Sequence, residues 1–170
     1  AQAYHDYVHA TADANSKVVW EAWGWQDNAG HVVRHEQDNL TGLFHEYVHA
    51  TNSGASPVIS ETYLTSGSMH FVQQKNDPST GKKIATTEHQ NAAANSPVIS
   101  VSGFNVSGQI ISTDTYIMSG SHTDRHDWNH RDTNLNLLNV GWETYKNNPW
   151  GGGDIHNFDI TDYQETKNIN

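Results

Sequence analysis

A segment near the start of the chain comes back forty residues later. Tyr4-His5-Asp6-Tyr7-Val8-His9-Ala10-Thr11 returns as Phe44-His45-Glu46-Tyr47-Val48-His49-Ala50-Thr51, and Ser56-Pro57-Val58-Ile59-Ser60 returns as Ser96-Pro97-Val98-Ile99-Ser100, both at an offset of 40. Glu21 maps to Glu61 and His49 to His89 in the same way, and a blurred fourth copy lies in His126 to Tyr145, where Glu143-Thr144-Tyr145 echoes Glu61-Thr62-Tyr63. Such a period constrains the fold strongly, because every copy must make similar local structure and bury its apolar side against a neighbour.

Most of that local structure reads as strand. Lys17 to Gln26 is β-branched and aromatic and ends at the turn signal Asp27-Asn28-Ala29-Gly30. His31–Gln37 with Gly42–Thr51, and Pro57–Thr65 with Ser68–Gln74, read as hairpins. Further strands follow at Lys83–His89, Val98–Asn105, Gln109–Met118, Asn134–Tyr145 and Asp154–Tyr163. Short strands at regular spacing predict one all-β domain over residues 1–170. The expected form is an antiparallel barrel or sandwich of about eight to ten strands. A β-trefoil of three units is the runner-up, against which the fourth copy counts. Two stretches read differently. Ala3 to Ala14 suits a strand or a short helix. Ser121 to Arg131 places His122, His126 and His130 four apart, which on a helix is one line down one face.

With 9 Lys+Arg against 19 Asp+Glu the chain is acidic, which argues against nucleic-acid or anionic-membrane partners. The absence of cysteine excludes disulfides, thiolate metal sites and cysteine nucleophiles. No apolar run reaches the roughly 20 residues of a membrane helix. Richness in Asn, Thr, Ser, Gly, Trp and Tyr, with a start at Ala1-Gln2-Ala3, gives the expectation of a secreted protein.

The 12 histidines carry the main functional signal. A hairpin closing near Leu40 sets His31 opposite His49 and His35 opposite His45, on one face. Opposed Cβ atoms are about 4.5–5.5 Å apart, close enough for two imidazoles to share an ion. His31, His35, His45 and His49 are therefore candidate ligands, and His122, His126 and His130 form a second cluster. Imidazole suits copper, zinc or nickel and also haem iron. The expectation is a non-catalytic binding protein with a metal ion or haem as partner and no catalytic residues.

Two alternatives stand beside it. Trp20, Trp23 and Trp25, with Trp150 near Asn148 and Asp154 in a glycine-rich loop, suit a lectin that stacks glycans on aromatic platforms. His45-Glu46-Tyr47-Val48-His49 matches the His-Glu-x-x-His pattern of zinc metalloproteases. Its surroundings fit a strand, on which Glu46 points away from both histidines.

Overall fold

The computed structural model describes residues 2–146 and 155–162. The regular elements in order are β1 (Gln2–His9), β2 (Val18–Gln26), β3 (Val32–Asp38), β4 (Phe44–His49), β5 (Val58–Leu64) and β6 (Phe71–Asn76). They continue as β7 (Lys83–His89), β8 (Val98–Phe104), β9 (Ile110–Ser119), β10 (His122–Arg131), β11 (Leu137–Lys146) and β12 (Ile155–Asp162). All lie in one antiparallel sheet in sequence order, so every strand pairs only with its chain neighbours. The sheet is open: β1 pairs with β2 alone and β12 with β11 alone. No second layer packs on it among the described residues, because contacts between strands occur only between adjacent ones.

The all-β, antiparallel expectation holds, but among the described residues the strands form one open sheet and neither barrel, sandwich nor trefoil. The physical reason is a shortage of apolar residues to cover. Only Ala22, Val33, Phe71 and Val72 are buried hydrophobics among the described residues, and no large side chain is fully enclosed. Ala22 and Val72 lie on one face, Val33 and Phe71 on the other, so neither side carries a continuous apolar layer. The chain exposes 10835 Å², against about 8,300 Å² for a compact monomer of its mass.

The faces follow from the register. His5, Trp23, His35, Glu46, Thr62, Gln73, Thr87, Val101, Asp114, Trp128 and Gly141 are successive partners across the sheet and define the first face. Asp6, Ala22, Glu36, His45, Tyr63, Val72 and Glu88 lie in a row on the second. A step of 40 residues carries the chain from β1 to β4, or β2 to β5, across three strands. Three is odd, so the strand direction reverses and the corresponding residue emerges on the opposite face. His5 bonds Glu21 on the first face, and His45 bonds Glu61 on the second.

The loops after β1, β4 and β7 are built alike. His9, His49 and His89 each donate from Nδ1 to the carbonyl of Ser16, Ser56 or Ser96, at 2.7, 2.8 and 2.7 Å. The serine hydroxyl in turn accepts the backbone N–H of Thr11, Thr51 or Asn91. These histidines close turns.

Two local expectations change, and a third is settled between its two alternatives. Within Ser121 to Arg131, residues His122–Arg131 form the whole of β10 instead of a helix: the stretch has no apolar stripe for a helix to bury, whereas β9 and β11 offer partners on both sides. Ala3 to Ala14 is strand as far as His9, then loop. The β3–β4 hairpin forms, but Glu36 faces His45 and His35 faces Glu46. Asp38 accepts the N–H groups of Leu40 and Thr41, and Gly42 turns with φ 76°, which closes the loop one residue out of the expected phase. A slip of one residue exchanges the faces, so His35 and His45 point to opposite sides.

In this sheet one ring anchors much of the first face. Phe71, 9% exposed, lies between Phe44 at 6.1 Å and His89 at 5.6 Å. Phe71→Ala is expected to lower stability by about 3 kcal/mol, read as a drop in the urea midpoint; a change within experimental error would show that the ring row carries no stability.

Candidate functional site

In the fold the sequence-predicted ligands are dispersed. His31 ends the β2–β3 turn, where its Nδ1 meets Asp27 Oδ2 at 3.2 Å and its backbone N–H donates to Asp27 Oδ1. His35 donates to Glu46 at 3.2 Å on the first face, sandwiched between the rings of Trp23 at 4.4 Å and Phe44 at 5.3 Å. On the second face His45 bonds Glu61 at 2.8 Å and stacks on Tyr47. His49 caps its loop. No ion can be shared by the four. The same placement takes apart the His-Glu-x-x-His pattern, since Glu46 and His45 occupy opposite faces.

Trp23 lays a ring face on His35, so the surface a sugar would need is partly taken. Trp25 shares the first face with Trp23, and Trp20 stands on the second. Trp150, Asn148 and Asp154 lie outside the described residues.

Histidine and carboxylate do come together across β9, β10 and β11. His126 is directly opposite Tyr116 on β9 and Glu143 on β11, while Asp114 stands opposite Trp128, one step along the same face. Its Nδ1 meets Glu143 Oε1 at 2.9 Å and its Nε2 meets Asp114 Oδ1 at 2.9 Å. His130, four residues on, places its Nε2 3.0 Å from the other oxygen, Asp114 Oδ2. His122 turns instead to Asp124 at 2.9 Å. Strand spacing alone would hold His126 and His130 about 13 Å apart at Cβ; the carboxylate between them draws the two rings together.

The electrostatics follow from this geometry. Two carboxylates facing both ring nitrogens require a proton on each, which is the imidazolium form. Burial alone would pull the His126 pKa down, but its hydrogen bonds to Glu143 and Asp114, with their charges, raise it above the usual value. Tyr145 donates to Glu143 and is pushed up to about 12, first by that bond, then by burial and the Glu143 charge. Burial, then Asp114 and Glu143, also raises Tyr116, whose ring stacks on His126 at 4.5 Å. Beside the cluster lies a hollow of about 360 Å³ lined by Tyr116, Ser121, His122, Thr123, His126, Glu143 and Tyr145. Among the described residues no three histidine or carboxylate side chains already surround one point as ligands of an ion would.

The sequence marks His126 and His130 by their spacing and Glu143 only as the echo of Glu61 in the blurred fourth copy, while Asp114, 12 residues before His126, belongs to no motif. Only the β9–β10–β11 register brings the four together. The chain matches no protein-family model and no curated protein.

A raised pKa in the folded state stabilises most below the unfolded value, about 6.5, and that gain fades as pH rises through the raised value. Glu143→Gln should therefore move His126 back toward 6.5 in an NMR titration. The stability gap between the two proteins should be widest in acid and narrow with rising pH; an unmoved His126 titration would refute the pairing.

Proposed function

We propose that this chain is a non-catalytic binding protein whose ligand is a divalent transition metal ion, held by His126 and His130 through Nε2 and by the Asp114 carboxylate. One observation carries this reading: His126 is fixed through Nδ1 by Glu143 while its Nε2 and that of His130 converge on the two oxygens of one carboxylate. A ligating histidine commonly donates its other N–H to a carboxylate, which sets its tautomer and aim. Metal–ligand distances near 2.1 Å put neighbouring ligands about 3.0 Å apart in an octahedral shell and about 3.4 Å apart in a tetrahedral one. The nitrogen–oxygen separations in this cluster are 2.9 and 3.0 Å. The ion takes the place of the protons that join these groups, with small rotations of Asp114 bringing the donors onto it.

Two imidazoles and a carboxylate favour zinc, copper or nickel over calcium or magnesium. Haem suits the site less well, because its flat ring needs apolar walls on both sides and a single sheet supplies one. The protein's net charge of −10 adds a favourable field for any cation.

Calorimetric titration of zinc, nickel or copper into chelator-treated protein tests the reading. The expectation is one ion per chain, with proton release. Affinity should fall about tenfold per pH unit once His126 is protonated. The double substitution of His126→Ala and His130→Ala should abolish that binding, whereas His31→Ala with His49→Ala should leave it intact. No uptake, or uptake indifferent to His126 and His130, would overturn the proposal.

A further inference from the structure

Behind the histidine cluster, the second face of β9, β10 and β11 carries a hollow of about 300 Å³. That volume lies at the low end of the range for small-molecule sites. Its walls follow from strand alternation. The second-face row runs on from Glu88 through Ser100 to Thr115, Asp127 and Trp142, and the next row holds Thr113, Asn129 and Val140. Those last six residues line the hollow, which opens outward because no second layer covers it among the described residues.

Trp142 is held as a fixed plate. The Arg125 guanidinium lies 5.0 Å from its ring centroid. Arg125 is in turn clamped by Asp127, from Nε to Oδ2 at 2.7 Å and from Nη2 to Oδ1 at 2.6 Å. It stands one step along β10 from Asp127, opposite Thr144, and Asn129 stands one step the other way, opposite Val140. The ring therefore has Arg125 toward one end and the hollow toward the other. The bonds from Arg125 also hold the Asp127 carboxyl below the usual carboxylate range, so it stays an ionised acceptor. Asn129 adds an unmet demand: its side-chain oxygen is buried and accepts no hydrogen bond among the described residues, a state that folded proteins seldom leave without a cause.

We propose that this hollow binds one pyranose ring of an uncharged saccharide, its C–H face laid on Trp142 and its hydroxyls shared among Asp127, Asn129 and the two threonines. The lining selects that class. An indole offers a broad, rigid apolar surface to the ring's C–H groups. Sugar hydroxyls both donate and accept, and they meet here a carboxylate that accepts, an amide that does both and two hydroxyls that do both. Rotation of the Asn129 amide about its last side-chain bond brings its oxygen to a sugar O–H, the donor it lacks. None of the lining residues is a cation, so an anion would meet Asp127 uncompensated. A wholly apolar ligand would strip water from Asp127 and Asn129 and return no hydrogen bonds. The site faces away from His126 and His130 and does not depend on a metal ion there.

Proton–nitrogen NMR titration with the methyl pyranosides of glucose, galactose, mannose and N-acetylglucosamine tests the assignment. At least one of them should move the Trp142 indole N–H and the Asn129 side-chain amide signals saturably, with a Kd on the order of 1 mM. Trp142→Ala should abolish the response, and Asn129→Ala should weaken binding about tenfold. Trp142→Phe, which keeps an aromatic plate, should retain binding, and His126→Ala with His130→Ala should leave it unchanged, which separates this site from the metal reading. Two results would overturn the proposal: no pyranoside moves either signal, or the one that binds does so equally well to folded Trp142→Ala protein.

Discussion

Everything in this structure depends on pairing across strands in a sheet that, among the described residues, has no layer above or below it. An isolated face cannot recover the entropy of ordering through burial, and only four apolar side chains are buried among the described residues. What substitutes is a dense set of cross-strand partners, each contributing a few tenths to about 1 kcal/mol. On the first face His5, Trp23, His35, Phe44, Phe71 and His89 form an unbroken row of ring contacts over β1 to β7. On both faces, carboxylates collect donors. Glu61 takes His45 on one oxygen and both Gln74 and Asn76 on the other, while Glu21 takes His5 and Asn39.

Histidine abundance has its first explanation there. Side chains of His5, His31, His35, His45, His70, His122, His126 and His130 each meet a carboxylate, and those of His9, His49 and His89 each close a loop. Most of the excess is therefore structural. The β9–β11 cluster differs because one histidine serves two carboxylates and one carboxylate serves two histidines, so the same atoms that hold the sheet are grouped as ligands are.

Strand type and the antiparallel order were legible in the sequence, because β-branched and aromatic runs broken by Asp, Asn and Gly signal them directly. Layering was not. Short, regularly spaced strands suggest a barrel or sandwich, whereas a 40-residue step over three strands puts equivalent residues on alternate sides, as His5 and His45 show. The histidine pairing failed on a single residue of register, set by how Asp38 and Gly42 close their loop. His126 and His130 could be picked out by spacing, but their line of four-residue steps belongs equally to a helix and to a strand. Asp114 gave no signal and Glu143 only the faint one of the blurred fourth copy, where it echoes the Glu61 that pairs with His45, since contacts between adjacent strands depend on loop lengths that the sequence encodes only through turn chemistry.

The heat-capacity change of unfolding tests the central claim most directly, since it measures how much apolar surface the native state hides. A compact domain of 170 residues gives about 2 kcal/mol/K. A single-layer sheet held by cross-strand pairs should give roughly half of that or less, because little apolar area is released. A value at or above the compact-domain figure would mean that a buried core stabilises the protein, and would contradict a sheet held together by cross-strand pairs.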